Sequence, residues 1–235
     1  MIYLHNFTGV YEKQDFYKKF SYKMLNNKDL SGVRGYMDEE AKEYLLDMIE
    51  NETDISSIHF LDSGNYHHLS KLYLSKINTE FNLVVYDNHT DMQFSAFGNI
   101  LSCGSWIADS YESLVNLNKI YLIGVSKDYI KDCVFVNDER IVFADSVCEM
   151  TDISNLPIYV SVDKDVLSNK EFISDWDQGI MTLDKLMNEL SHLVDNCKLL
   201  GADICGEPLS DDDINICLSN NINEELLNIF VDILY

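Results

Sequence analysis

Asp87-Asn88-His89-Thr90-Asp91 closes the apolar run Leu83-Val84-Val85-Tyr86, and Asp163-Lys164-Asp165 continues Ile158-Tyr159-Val160-Ser161-Val162. Side chains alternate along an extended chain, so Asp87, His89 and Asp91 project to one side, and Asp163 and Asp165 share a side likewise. Four carboxylates and an imidazole gathered at strand ends repel one another unless divalent cations neutralise them. Imidazole with several carboxylates and no thiolate suits a relatively hard ion such as Mn²⁺, and Zn²⁺ is also compatible. The set needs one more nitrogen donor. Ser63-Gly64-Asn65-Tyr66-His67-His68, just past the apolar stretch 58–61, offers either histidine. A single strand-end Asp is ordinarily a turn or helix-cap acceptor, but a cap needs one acceptor and not three on one face.

The elements that must position these residues are legible in the hydrophobic pattern. Strands are expected at 2–4, 58–61, 83–87, 119–125, 140–143, Ile158–Asp163 and 198–204, and helices at about 15–25, 37–51, 68–78, 105–117, 182–194 and 223–234. This alternation predicts an α/β fold, a three-layer α-β-α arrangement around a mostly parallel sheet. Several strands are continuously apolar, as burial on both faces requires. Ligands of open parallel sheets collect beyond the carboxyl ends of the strands, where both acidic clusters fall. The two prolines, Pro157 and Pro208, sit where sheet elements begin or end, and with no flexible linker a single domain over 1–235 is expected.

A net charge of −23 argues against nucleic-acid or anionic-membrane partners, which it would repel at long range. No run approaches the roughly 18 apolar residues of a membrane helix, and the start Met1-Ile2-Tyr3-Leu4-His5-Asn6 carries no secretory pattern. Cys103, Cys133, Cys148, Cys197, Cys205 and Cys217 are scattered with no CxxC pair, so they read as reduced thiols and the expected location is cytoplasmic. The expected partner is a small-molecule substrate, and a homo-oligomer is left open.

The order of the histidine loop, D-x-H-T-D at Asp87–Asp91 and S-x-D-x-D at Ser161–Asp165 resembles the arginase/agmatinase (ureohydrolase) family. Gly98-Asn99, Gly179-Ile180-Met181-Thr182 and Ala202-Asp203-Ile204 extend the resemblance in the right order over most of the chain. The resemblance implies an arginase-like fold with a binuclear manganese centre. Position by position, it implies that Asp87 and Asp163 bridge the metals, with His67 and Asp91 completing one shell and His89 and Asp165 the other. Two ions roughly 3.5–4 Å apart can share and acidify a water and present hydroxide to a trigonal carbon. The expected reaction is therefore hydrolysis of a guanidino, amidino or related C–N bond. Between His67 and His68 as ligand, His67 is favoured.

Two departures bear on activity. The family's proton-relay histidine beyond D-x-H-x-D has no counterpart in Gly98–Trp106, which leaves His68, His5, Asp177, Cys103 or water for that role. The family's guanidinium-binding glutamate follows an aspartate by three positions. Here Asp203-Ile204-Cys205-Gly206-Glu207-Pro208 places Glu207 one residue late. Glu207, Asp177 and His68 are thus the catalytic candidates, and Ser126-Lys127-Asp128 is a weak counterpart of the family's substrate loop. Trp176 is placed at the pocket rim, and Trp106 opens a helix nearby. Asp211-Asp212-Asp213 reads as an acidic first turn of a helix. A deacetylase-like amidohydrolase, suggested by the His67-His68 pair, and a metal-binding protein without turnover are the competing readings.

Overall fold

The computed structural model describes all residues except 95–97, 99, 151, 210 and 232–235. In chain order the strands are β1 (Ile2–Asn6), β2 (Tyr22–Asn26), β3 (Tyr36–Met37), β4 (Ile58–Phe60), β5 (Phe81–Tyr86), β6 (Leu101–Ser102), β7 (Leu117–Ile123), β8 (Ile141–Ala144), β9 (Ile158–Asp163) and β10 (Leu199–Cys205). The helices are α1 (Glu39–Glu52), α2 (Leu69–Leu74), α3 (Trp106–Ser113), α4 (Lys127–Asp132), α5 (Leu183–Asn196) and α6 (Asp213–Phe230). Eight strands form a parallel sheet in the order β2-β1-β4-β10-β9-β5-β7-β8, while β3 and β6 make a separate antiparallel pair.

The continuous apolar runs sit at the centre because both their faces are covered. Along β5, Leu83 and Val85 pack with Leu45 of α1, Leu69 of α2 and Ile107 of α3 on one side. Val84 and Tyr86 pack with Leu186 and Leu190 of α5 and Leu226 of α6 on the other. This is the α-β-α layering, with β5 and β9 buried along their whole length. Asp38 caps α1 by accepting from Ala41 N, and Thr182 caps α5 by accepting from Lys185 N, each satisfying an otherwise orphaned first-turn amide. No described helix is long and apolar enough to cross a membrane.

The helix expected at 15–25 is not formed. Residues 16–20 turn, and Tyr22–Asn26 is the edge strand β2, paired in parallel with β1. Phe16 and Phe20 imitate helical spacing, but Phe16 is buried in the core as part of a turn, and half-exposed β2 needs no continuous apolar signal. The last helix starts ten residues before the expected 223, at Asp213, because Asp212 caps it through Ile214 N. The expected positions 232–234 lie outside the described residues. Besides β2, three elements escaped the pattern: the two-residue strands β3 and β6, and the short α4, which buries none of its residues.

Candidate metal centre

Four adjacent strands, β4, β10, β9 and β5, end side by side, and every cluster residue leaves one of those ends. Tyr86 pairs with Val162, so Asp87 and Asp163 emerge as neighbours, and Cys205 pairs with Asp163 on the next strand. Past β4, a 3₁₀ turn at Gly64–Tyr66 turns His67 back over the sheet. Main-chain amides aim the carboxylates: His89 N donates to Asp87 Oδ1 at 2.6 Å, Asn88 N to Asp165 Oδ1 at 3.1 Å, and Asp165 N to Asp163 Oδ1 at 3.0 Å. Asp91 takes a left-handed backbone at φ 46°, an unfavourable conformation for a residue with a Cβ.

His67 Nδ1 lies 3.4 Å from Asp87 Oδ2, 3.2 Å from Asp91 Oδ2 and 3.5 Å from Asp163 Oδ2. These distances exceed the about 2.7–2.9 Å of a charge-assisted bond, and the buried nitrogen makes no hydrogen bond. The ring's other face explains the orientation. His67 Nε2 meets Ser161 Oγ at 2.9 Å, and Ser161 donates to Asp203 Oδ1 at 2.6 Å. With the proton on Nε2, the Nδ1 lone pair is left pointing at three carboxylate oxygens, an arrangement that a cation resolves.

His89 repeats this design. Its Nδ1 lies 3.3 Å from Asp87 Oδ1 and 3.0 Å from Asp165 Oδ2, while its Nε2 pairs with Asp177 Oδ1 at 3.1 Å. Tyr129 OH in turn donates to Asp177 Oδ2 at 2.6 Å. Asp91 Oδ2 also receives Trp106 Nε1 at 2.7 Å, from a wholly buried indole whose ring leans on His67 at 4.7 Å. The donors therefore form three groups: His67/Asp87/Asp91, Asp87/His89/Asp165 and His67/Asp163/Cys205.

The electrostatics favour uptake of positive charge. Burial first, then Asp91, raises the Asp87 pKa; burial and then Asp165 raise Asp163; burial and then Asp87 push Asp165 up to about 7. The imidazoles are raised as well, although burial works against them. Burial opposes protonation of His67, but Cys205, Asp87 and Asp91 hold it well above its ordinary value. Burial likewise opposes protonation of His89, and Asp165 and Asp87 outweigh it.

The structure thus brings His67, Asp87, His89, Asp91, Asp163 and Asp165 together. Asp87 offers one oxygen to each histidine, and Asp163 groups with His67 and Cys205 while its Oδ1 accepts from Asp165 N. The three catalytic candidates fare differently. Asp177 stands at the rim behind His89, where hydrogen bonds from Tyr129 and His89 overcome partial burial and hold its carboxyl below the ordinary range. His68 is wholly buried with both ring nitrogens lacking a hydrogen bond, and burial and the adjacent His67 push it down to about 3.

Glu207 does not reach the cavity. Gly206, at φ +90°, turns the chain where a Cβ would stand 2.5 Å from Asp163 Oδ1, and Glu207 is directed into the protein. There it accepts from Lys164 Nζ at 2.5 Å, Asn223 Nδ2 at 2.6 Å, Gln14 Nε2 at 2.7 Å and Ser219 Oγ at 2.8 Å, so both its oxygens are already engaged. His5 is in the core on Tyr73 OH at 2.6 Å. Ser126 and Lys127 line a neighbouring cavity with Asn88 and Gln178. Cys103 lines the cavity above the cluster, its thiol pushed up to about 12 by burial and Asp91. The histidine-free stretch opens at Gly98, and Asn99 lies outside the described residues.

That cavity, of about 370 Å³, is lined by Asp87, His89, Asp91, Asp163 and Asp165 at its floor and by Arg34, Asn65, Gln93 and Trp176 on its walls. Sequence reasoning missed Cys205, Trp106 as a partner of Asp91, and Arg34. Of these only Cys205 carried a signal, its two-residue spacing from Asp203 on an expected strand.

An uncharacterized protein of Thermotoga maritima is 32% identical over 207 residues, covering 88% of this chain and 80% of its own length. The two chains belong to one family. No family model matches. Among solved structures, an arginase from Bacillus subtilis superposes with a TM-score of 0.65 at 15% identity, over 96% of this chain and 97% of that one.

The fold is that of the arginase/agmatinase ureohydrolases.

A hypothetical agmatinase from Burkholderia thailandensis shares this arginase fold at a TM-score of 0.59 and 15% identity, with 80% of this chain covering 62% of that one. On the arginase fold seen here, the buried His/Asp cluster at the strand ends is compatible with a binuclear divalent-metal site.

Proposed function

We propose that the chain is a hydrolase that uses two divalent ions to cleave a C–N bond of a small substrate, of guanidino, amidino or related type. The observation that carries this reading is the sharing of Asp87 between two ligand groups, one oxygen toward His67 and the other toward His89. Asp91 completes the first group and Asp165 the second, and Mn²⁺ suits these oxygen and nitrogen donors. Bound there, two ions supply Lewis-acid activation of water and of the scissile group. The chain's own part is positional. Ser161 and Asp177 fix the two imidazoles through their outer nitrogens, and Trp106 orients Asp91.

The walls speak to the substrate. With Glu207 turned inward, every carboxylate lining the cavity belongs to the metal cluster, and Arg34 is the only Lys or Arg among the lining residues. This supports a substrate that carries its own carboxylate over a free cationic guanidine. The deacetylase-like reading has less support, because His67 and His68 face different surroundings.

Elemental analysis of protein prepared without chelators is expected to find close to two divalent ions per chain, with both lost in Asp87→Ala. The loaded protein should hydrolyse members of a guanidino, amidino and amide panel, those bearing a carboxylate in preference. A full metal load without turnover on any member would leave a metal-binding protein and sink the hydrolase.

A further inference from the structure

The resemblance in sequence supplies no thiol to the metals, yet Cys205 is wholly buried against the cluster. It ends β10, and its main chain pairs in register with Asp163, which ends β9. Its Sγ donates to Asp163 Oδ2 at 3.0 Å. Sγ, a carboxylate oxygen of Asp163 and a ring nitrogen of His67 lie within 4.8 Å of one another. An independent observation comes from the histidine: His67 Nδ1 is buried, unpartnered and 3.5 Å from that same Asp163 oxygen.

Thiolate, imidazole and carboxylate together form the donor set of a borderline ion, not of a hard one. We propose that Cys205 ligates, through Sγ, the ion held by His67, so that this position selects Zn²⁺, Fe²⁺ or Co²⁺ over Mn²⁺ and the two metal positions differ in kind. The inference rests on the metal reading above. Coordination exchanges the S–H bond for a sulfur–metal bond, and the proton now donated to Asp163 passes to water. The Asp87/His89/Asp165 group contains no sulfur and keeps the harder ion.

Protein stripped by chelator and reloaded with Co²⁺ tests this, with metal counted by elemental analysis and absorption recorded in parallel. A near-ultraviolet thiolate-to-cobalt charge-transfer band is expected in the unaltered chain, absent in Cys205→Ser and kept in Cys103→Ala. The preference for Zn²⁺ over Mn²⁺ should fall by about tenfold or more in Cys205→Ser. Two bound cobalt ions without the band, or a band that survives Cys205→Ser, overturns thiolate ligation and leaves the binuclear reading standing. No cobalt bound at all overturns both. Absence of the band from the unaltered, cobalt-loaded chain is decisive by itself, whether or not Cys205→Ser folds.

Discussion

Lys164 lies between two cluster aspartates in the chain and yet takes no part in the cluster. Strand alternation sends it through the sheet, where its ammonium meets Glu207, Ser219 Oγ at 2.6 Å and Asn223 Oδ1 at 2.9 Å. Two charges so deeply buried are tolerated because each donor and lone pair is matched. Glu207→Ala would strand the ammonium. It should lower stability by about 3–5 kcal/mol in denaturant unfolding, with the metal count unchanged in the protein that remains folded. Loss of metal at normal stability would instead return Glu207 to the site. The same logic of matched partners applies to Trp106, whose indole is conspicuous by size but matters here through one hydrogen bond to Asp91.

At the scale of elements, β1, β4 and α2 enclose two histidines that the metal cluster does not use. His5 sits on Tyr73 OH, and His59 stacks on the Tyr73 ring at 3.8 Å while contacting Asp54 O at 2.9 Å. Burial, with His59 nearby, pushes His5 down to about 3, and burial pushes His59 down to about 4. Both folded values lie below the unfolded value of about 6.5, so between them the unfolded chain binds more protons. Their stability is complete above about pH 6.5 and is lost as pH falls towards 4, on the order of 3 kcal/mol for His59 at the limit. Unfolding of chelator-treated protein at several pH values across this window should show that fall, and a shallower slope in His59→Gln. Identical slopes for the two proteins would mean that His59 is not held neutral.

For the whole molecule, the parallel sheet assembles at the carboxyl ends of its central strands what the chain distributes over more than a hundred residues: His67, Asp87, Asp163 and Cys205 leave four adjacent strands. Divalent ions held there would stabilise only the folded state, by about 4 kcal/mol per site when free metal is 1,000 times Kd. Chelation should therefore lower Tm and added divalent metal restore it, whereas Asp87→Ala should respond weakly to either. An equal response in the variant would place the stabilising ions on the acidic surface, which the net charge of −23 also makes attractive to cations.

What the sequence determined by itself was local. A period of two along apolar strands placed Asp87, His89 and Asp91 on one face, and runs buried on both faces implied a parallel sheet between helices. Which strands stand next to each other was decided only in three dimensions. The adjacency of β10 to β9 sets Cys205 against Asp163, and the turn after β4 chooses His67 over His68 for the carboxylates. The φ of +90° at Gly206 withdraws Glu207 from a site that its position near an aspartate suggested. Alternation and periodicity are properties of neighbouring residues, whereas a ligand set is a property of strand order and side-chain direction across long separations, and no local pattern encodes that order.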